Sequence, residues 1–190
     1  MKRVILIAAA LLAGVVANAQ NIWLQGAFAH EKYIQSAGPV SVNSAENGFI
    51  AGIEYDFNIN NWLTVAPAFE VSGIFSNEDG TKSNYFGIDI PVLLRGTYFI
   101  NNDLGVFAQA GPDLCIGLFD NVTVGNFDPV DIIGDQIKRC GAFAVVGGGV
   151  QLKNAFRVYV NYGIGLTNGS KVDNVTAKSN SLAVGVAFGF

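Results

Sequence analysis

The chain has 190 residues, of which 51% are hydrophobic, 12% aromatic and only 14% charged, and its formal net charge is −4. Soluble domains carry about 25% charged residues, so this chain needs an apolar solvent or an unusually large core. The acidic balance argues against nucleic acid as a partner, because phosphate backbones bind basic surfaces.

The first residues have the pattern of an export signal. Lys2 and Arg3 precede an apolar run over residues 4–16, and Ala17-Asn18-Ala19 then gives a small-x-small cleavage site. The run is shorter than the roughly 20 residues of a spanning helix, so a retained anchor is the weaker alternative. We therefore predict a signal peptide over residues 1–19 and one mature domain over residues 20–190. The mature domain has 9 basic against 15 acidic side chains, a net charge of −6.

Eight segments of alternating apolar and polar residues follow, each bounded by Asn, Gly or Asp. They cover approximately residues 22–32, 47–57, 62–75, 84–99, 104–118, 139–152, 156–167 and 179–190. Beyond the signal, no uninterrupted apolar stretch is long enough to span a membrane as a helix. A closed barrel spreads the apolar residues over alternate positions and leaves no backbone group unpaired in lipid. The pattern predicts an all-β fold, an eight-stranded antiparallel transmembrane β-barrel with up-and-down topology.

The predicted connections alternate in length. Residues 58–61, 100–103 and 153–155 form tight turns, whereas residues 33–46, 76–83, 119–138 and 168–178 form longer loops. Outer-membrane barrels have short periplasmic turns and long extracellular loops. This parity predicts a location in the bacterial outer membrane with both termini in the periplasm.

The last two segments show the two faces of the predicted barrel. Leu182, Val184, Val186, Phe188 and Phe190 would face lipid, while small residues between them would face a narrow lumen. Aromatic residues expected at the periplasmic rim, where such barrels carry a girdle, are Trp62, Tyr98, Phe99, Phe156 and Phe190.

Two features of the sequence do not fit a regular ladder of hydrogen-bonded strands. Pro67, Pro91 and Pro112 fall inside predicted strands, where each removes a hydrogen-bond donor, so we expect β-bulges there. In the sixth segment, Phe143 and Val145 compete with Val146 for the outward face, and the pattern leaves its register open.

The same alternation places charged side chains in the lumen. Besides Asp56, the predicted charge network consists of Glu54, Glu70, Asp89, Arg95, Asp113 and Arg157. Buried charges are costly unless they are paired, and eight strands leave room for side chains rather than for an aqueous channel. We favour an ion-pair network that fills the lumen. The alternative is a narrow ion or small-solute channel through a charged lumen.

Cys115 and Cys140 are the only two cysteines and flank the longest predicted loop. Export would permit a disulfide, which would close a loop of about 25 residues and contribute on the order of 3 kcal/mol in the chain-entropy model. The alternative is two buried free thiols in neighbouring strands.

The sequence contains no recognisable catalytic constellation. The chain has a single histidine, His30, next to Glu31, and it lacks both a Gly-x-Ser-x-Gly elbow and a His-Glu-x-x-His pair. We predict a protein that is not an enzyme, with no catalytic residues, no metal site and no cofactor. The loop over residues 119–138 mixes aspartates with apolar side chains, a composition that suits contact with another protein.

Residues 85–95 (YFGIDIPVLLR), followed by residues 109–112 (QAGP), resemble the PorT-like outer-membrane β-barrel domain family. In that family an Ile-Pro-Leu-Leu-type strand precedes an Ala-Gly-Pro strand, and the similar layout covers nearly the whole mature chain. The resemblance implies an eight-stranded barrel that tolerates Pro91 and Pro112, and it supplies no catalytic residues. The terminal Phe188-Gly189-Phe190 also resembles the aromatic end recognised by the barrel assembly machinery.

Together these patterns predict a small integral outer-membrane protein that works through its extracellular loops. The expected partners are membrane lipid, the barrel assembly machinery during biogenesis, and an extracellular protein or surface. Nucleic acid is not among them. Fold alone does not select a role, because one barrel architecture hosts many functions.

Overall fold

The computed structural model describes residues 21–78, 81–125, 127–153 and 155–190. The predicted signal peptide lies outside the described residues. Eight long strands run as β1 Ile22–Ala37, β2 Val40–Tyr55, β3 Leu63–Glu78, β4 Thr81–Phe99, β5 Leu104–Val124, β6 Cys140–Leu152, β7 Phe156–Gly165 and β8 Val175–Gly189. Two-residue strands occur at Phe57–Asn58 and Val130–Asp131. Within the described part of the chain, no helix is long and apolar enough to cross a membrane.

Each long strand pairs antiparallel with the strands before and after it in the chain. The ring closes because β1 also pairs with β8 over its whole length, from Trp23 opposite Gly189 to Ala37 opposite Val175. A closed ring leaves no unpaired strand edge, which is the condition for crossing lipid with strands. The predicted eight-stranded, antiparallel, up-and-down barrel is confirmed.

The two faces differ as the alternation predicts. On β8, Val184 is 47% exposed on the outer face, whereas Ala187 is 2% exposed on the inner face. The same contrast separates Val160 from Tyr159 on β7. Large apolar side chains therefore cover the outside of the barrel, whereas the inside combines small and polar side chains with a few large ones such as Phe107.

The register of β6, which the sequence left open, is set by its partners. Leu104 of β5 lies opposite Leu152, and this pairing continues without a shift to Ile116 opposite Cys140. As a result Phe143 and Val145 line the interior, while Val146 is exposed on the outer face.

Two predicted loops, residues 33–46 and 76–83, are wrong. The hairpin of β1 and β2 continues to a two-residue turn at Gly38 and Pro39, where Gly38 adopts a φ of 58°. The hairpin of β3 and β4 likewise continues to Glu78 opposite Thr81. Beyond the membrane both faces of a strand meet water, so the alternation fades although the backbone pairing continues.

The other two long connections persist in shortened form. β5 continues to Val124, which leaves residues 125–139 as the longest connection, and β8 begins already at Val175. Part of the first connection folds back, because Val130–Asp131 pairs with the end of β5.

The three prolines do not produce bulges. The pairing of β3 with β4 keeps one register on both sides of Pro67 and Pro91, and that of β5 with β6 does so through Pro112. Two paired positions are simply missing beside Pro91 and again beside Pro112, since proline has no N–H to donate. The one register shift lies elsewhere, between Phe86 and Gly87.

Aromatic side chains form two rows on the outer face. Trp62, Tyr98 and Phe190 are exposed at the turn end, and the Phe156 ring lies 5.2 Å from that of Phe188. A second row, which the sequence analysis did not identify, consists of Phe49, Phe75, Phe86 and Phe119, with ring centroids 5.1 to 6.2 Å apart. On β2 and its continuation, the rows are separated by the span from Phe49 to Phe57, or roughly 20 Å along the axis of a tilted barrel. This is close to the height of a membrane-embedded apolar band.

Candidate functional site

Four charged side chains meet inside the barrel near its turn end. Glu54 accepts hydrogen bonds from Arg95 at 2.7 Å and from Arg157 at 2.8 Å, one on each carboxylate oxygen. Asp56 bridges the same two guanidinium groups, with Arg95 at 2.9 Å and Arg157 in contact with its other oxygen. Two carboxylates and two guanidinium groups therefore form a closed, neutral ring, which we call the ion-pair plug.

Neighbouring side chains accept further hydrogen bonds from the arginines of the ion-pair plug. Gln109 accepts from Arg95 Nε at 2.8 Å, and Gln151 accepts from Arg157 Nε at 2.8 Å. The guanidinium carbon of Arg157 lies 3.4 Å from the centre of a Trp23 ring, and Trp23 Nε1 donates to Asp56 at 2.9 Å. Pairing and hydrogen bonding of this kind make buried charges tolerable.

The plug forms there because its four side chains point inward from strands that end at the same end of the barrel. Glu54 and Asp56 follow the inward parity of β2, and Arg95 and Arg157 lie near the turn ends of β4 and β7. The four side chains are only 3 to 7% exposed, so little water reaches them. The lumen is therefore closed by paired charge near its turn end.

The loop end of the lumen differs, since it holds a cavity of about 630 Å³. Its acidic lining residues are Glu31, Glu46, Asp89, Asp113 and Asp120, accompanied by hydroxyl and apolar side chains such as Ser72, Ser179, Tyr85, Ile74 and Val145. Asp89 lies close to Ser72 and Cys115. Asp113 Oδ1 is buried without a hydrogen-bond partner. Between cavity and plug, Glu70 accepts a hydrogen bond of 2.5 Å from Gln25.

The predicted charge network thus divides into two groups. Glu54, Arg95 and Arg157 meet in the ion-pair plug, whereas Glu70, Asp89 and Asp113 lie above it and form no ion pair among the described residues. The sequence analysis missed Trp23 as a partner of Arg157. Trp23 lies on the same inward face of β1 as Gln25 and Ala29, whereas Leu24 and Phe28 lie on the outer face. This alternation is the signal that could have identified it.

Cys115 and Cys140, which were considered as a disulfide, are both free thiols in the structure. Cys115 lies opposite Gly141, and Ile116 lies opposite Cys140, so the cysteines are one position out of register and project to opposite faces. Cys115 is half-buried, with its sulfur 3.0 Å from the Tyr85 hydroxyl, while Cys140 is exposed rather than buried. A disulfide needs side chains that point towards each other.

The long connection after β5 is tied back to the barrel. Asp131 accepts hydrogen bonds from the backbone N–H groups of Asp120 and Ile133, each at 3.0 Å. These donors hold the pKa of the Asp131 carboxyl below its ordinary value. Arg139 donates to the carbonyl oxygens of Gly117 and Leu118. Part of the loop is therefore fixed over the cavity, with Ile133 and Ile137 lining it.

His30 is not part of the lumen. It lies exposed on the outer face of β1, where its Nδ1 is 2.8 Å from Asn47 Oδ1.

Solved structures of small outer-membrane barrels resemble this fold. Neisserial surface protein A is 15% identical and has a TM-score of 0.52, with 89% of this chain and 97% of that chain covered. Ail, the attachment invasion locus protein of Yersinia pestis, is 15% identical with a TM-score of 0.45, covering 90% and 99%. OprG from Pseudomonas aeruginosa is 9% identical with a TM-score of 0.45, covering 90% and 95%. Among curated proteins, none matches this chain by sequence.

A closed eight-stranded ring with an apolar outer face defines the class: a small integral β-barrel protein of the bacterial outer membrane. Within that class, the chain belongs to the outer membrane protein beta-barrel domain family, whose sequence model matches residues 6–190. The predicted location is confirmed, so the turn end is periplasmic and the loop end extracellular.

Proposed function

We propose that this barrel is not an enzyme and that its extracellular loops bind a protein or surface outside the cell. The observation that carries the proposal is the set of apolar side chains exposed to water beyond the outer aromatic row. Phe127 is 79% exposed, and Val40, Val42, Val130 and Val172 are also exposed at the loop end. Large apolar side chains in water are typical of interaction surfaces.

The ion-pair plug supports this function over transport. Its four charged groups are paired and nearly inaccessible to water. The cavity lies on the extracellular side of the plug. Moving an ion past the plug would require breaking buried ion pairs, which costs several kcal/mol when one partner is lost. The alternative, a narrow ion or small-solute channel, is supported by the acidic lining of the cavity alone.

The surroundings of His30 support a protein that is not an enzyme. A general base needs a nucleophile or a bound substrate within hydrogen-bond reach. His30 is instead paired with Asn47 on the lipid-facing side of the barrel.

A finer assignment, to the PorT-like branch of such barrels, is supported by the motifs at residues 85–95 and 109–112. Both prolines of these motifs occupy interruptions of the ladder in this barrel. The aromatic end of β8 also supports a transient contact with the barrel assembly machinery, with membrane lipid as the permanent partner. Deleting Phe190 should slow assembly in cells without preventing refolding in detergent; equal assembly rates would contradict this contact.

Site-specific photo-cross-linking in intact cells tests the loop function. A photo-reactive amino acid placed at Phe127 should give a discrete cross-linked product, and the same amino acid at Ile59, exposed in a periplasmic turn, should not give that product. The Phe127 product should weaken when Val130 is replaced by Ser. Absence of any product specific to the Phe127 position would contradict the proposal.

Conductance in planar bilayers tests the alternative. We expect the wild-type protein to show no persistent steps, because the plug closes the lumen. Cation-selective steps that disappear in Glu70→Ala would overturn the closed lumen and favour a channel.

A further inference from the structure

Charges at the extracellular end are separated by face. Lys32, Lys82 and Lys178 are exposed on the outer faces of β1, β4 and β8. Every carboxylate that the structure describes on the eight strands faces the lumen, including Glu31, the immediate neighbour of Lys32. The strands at this end are therefore acidic inside and basic outside, and the connection after β5 adds Lys138 and Arg139 to the cavity lining.

Each of the three lysines lies beyond an outward-facing apolar residue of its own strand, towards the loop end of the barrel. Lys32 comes four positions after Phe28, Lys82 four before Phe86, and Lys178 four before Leu182. In tilted strands this spacing corresponds to roughly 10 Å along the membrane normal. The headgroup layer of one leaflet is about 5 to 8 Å thick, and a lysine stem is long enough to bring its ammonium group into that layer.

The lysines have no protein counterion among the described residues. The ion pairs within 4.0 Å that the structure describes involve Arg95, Arg157 and Lys153, and the three lysines take part in none of them. Lys32 lies opposite Asn180 and Lys178 lies opposite Ile34, which makes the two lysines diagonal neighbours on the same face. Cβ atoms in that relation are about 7 Å apart, close enough for two ammonium groups to repel each other or to share one anion.

We propose that Lys32, Lys82 and Lys178 form a lysine belt that binds the phosphate groups of anionic lipid headgroups in the outer leaflet. The belt continues the lipid-facing surface of its strands towards the loop end, so an occupant seated in the bilayer meets both the apolar side chains and the ammonium groups. A soluble polyanion would make no use of the apolar surface below the lysines. This inference does not depend on the loop function, since the belt faces the membrane rather than the medium.

Refolded protein in lipid vesicles provides the test. The measured quantity is the temperature at which the folded, heat-modifiable gel band is lost, compared between vesicles of phosphatidylcholine and vesicles that also contain phosphatidic acid. We expect phosphatidic acid to raise this temperature for the wild-type protein, and added salt to reduce the effect. The triple variant Lys32→Gln, Lys82→Gln, Lys178→Gln should lose more than half of the increase.

Two control variants separate a charge effect from damage to the fold. Lys153→Gln removes the same charge at the periplasmic rim, where Lys153 already pairs with Asp103 at 3.5 Å, and it should keep the increase. The triple replacement by Arg should also keep it, because the charges remain. An undiminished increase in the Gln variant, or no increase in the wild type, would overturn the proposal. An equal increase from inorganic phosphate with phosphatidylcholine vesicles would overturn the lipid as the occupant.

Discussion

The periplasmic and extracellular halves of the lumen are built on the same inward parity, yet they differ in kind. Near the periplasm, Glu54 and Asp56 share two arginines, and paired charge fills the space. Near the cell surface, Asp89 and Asp113 have no arginine between them and border a cavity. The comparison teaches that inward placement alone does not make a network, because a network also requires partners that project to the same height.

Arg157→Ala breaks the periplasmic half most strongly. It removes one guanidinium group from both carboxylates and from the Trp23 ring, and leaves excess buried negative charge. We expect a loss of about 3 to 5 kcal/mol in the free energy of unfolding. This loss can be measured by urea titration, with the heat-modifiable gel band as the signal for folded protein. Lys153→Ala, at an exposed pair, should cost less than about 1 kcal/mol, and equal losses would contradict the role of the plug.

Gly149→Ala should disturb the packing below the cavity. A Cβ at Gly149 would meet Val158 O at 2.0 Å and Phe107 Cζ at 2.8 Å, so backbone or ring must move. We expect a loss of about 1 to 3 kcal/mol, as for an overpacked core. Gly96→Ala is the matched control, since a Cβ there meets nothing within 4 Å. If both variants unfold at the same urea concentration, the inner half is less tightly packed than the structure indicates.

One carboxylate-to-amide substitution in each half should change the free energy of unfolding in different directions. Glu54→Gln keeps one accepting oxygen but places an NH2 donor against the other guanidinium group, and it should cost about 1 to 3 kcal/mol. Asp113→Asn removes a charge beside Asp89 and supplies a donor where Oδ1 now has no partner, so stability should be unchanged or rise. Both can be measured by urea unfolding. Destabilisation of the Asn variant as large as that of the Gln variant would remove the distinction between the halves.

Labelling of the two thiols tests the structure of the extracellular half. Of these predictions it involves the smallest energetic effect. A polar maleimide should label exposed Cys140 quickly and Cys115 slowly, because Cys115 is half-buried beside Tyr85. The number of thiols titrated after unfolding should not change with prior reduction. A rise of two thiols upon reduction would demonstrate the disulfide that the register disfavours.

For the faces of the strands, prediction from sequence succeeded where lipid imposes the pattern and failed where it does not. Val184 and Ala187 took the predicted faces, because a membrane segment must be apolar outside and fit a narrow lumen inside. The outer hairpin around Gly38 was predicted as a loop, since strands in water need no alternation. Pro91 was expected in a bulge, but the ladder simply omits the neighbouring pairs.

The sequence by itself determined the number of strands, their antiparallel order, the lipid-facing residues and the inward direction of Glu54, Arg95 and Arg157. These follow from alternation with a period of two, which is a local property of the chain. Only the tertiary structure decided which inward charges pair, that Trp23 lies against Arg157, and that Cys115 and Cys140 fall out of register. Those outcomes depend on the stagger of strands far apart in the chain, and a shift of one residue reverses every face.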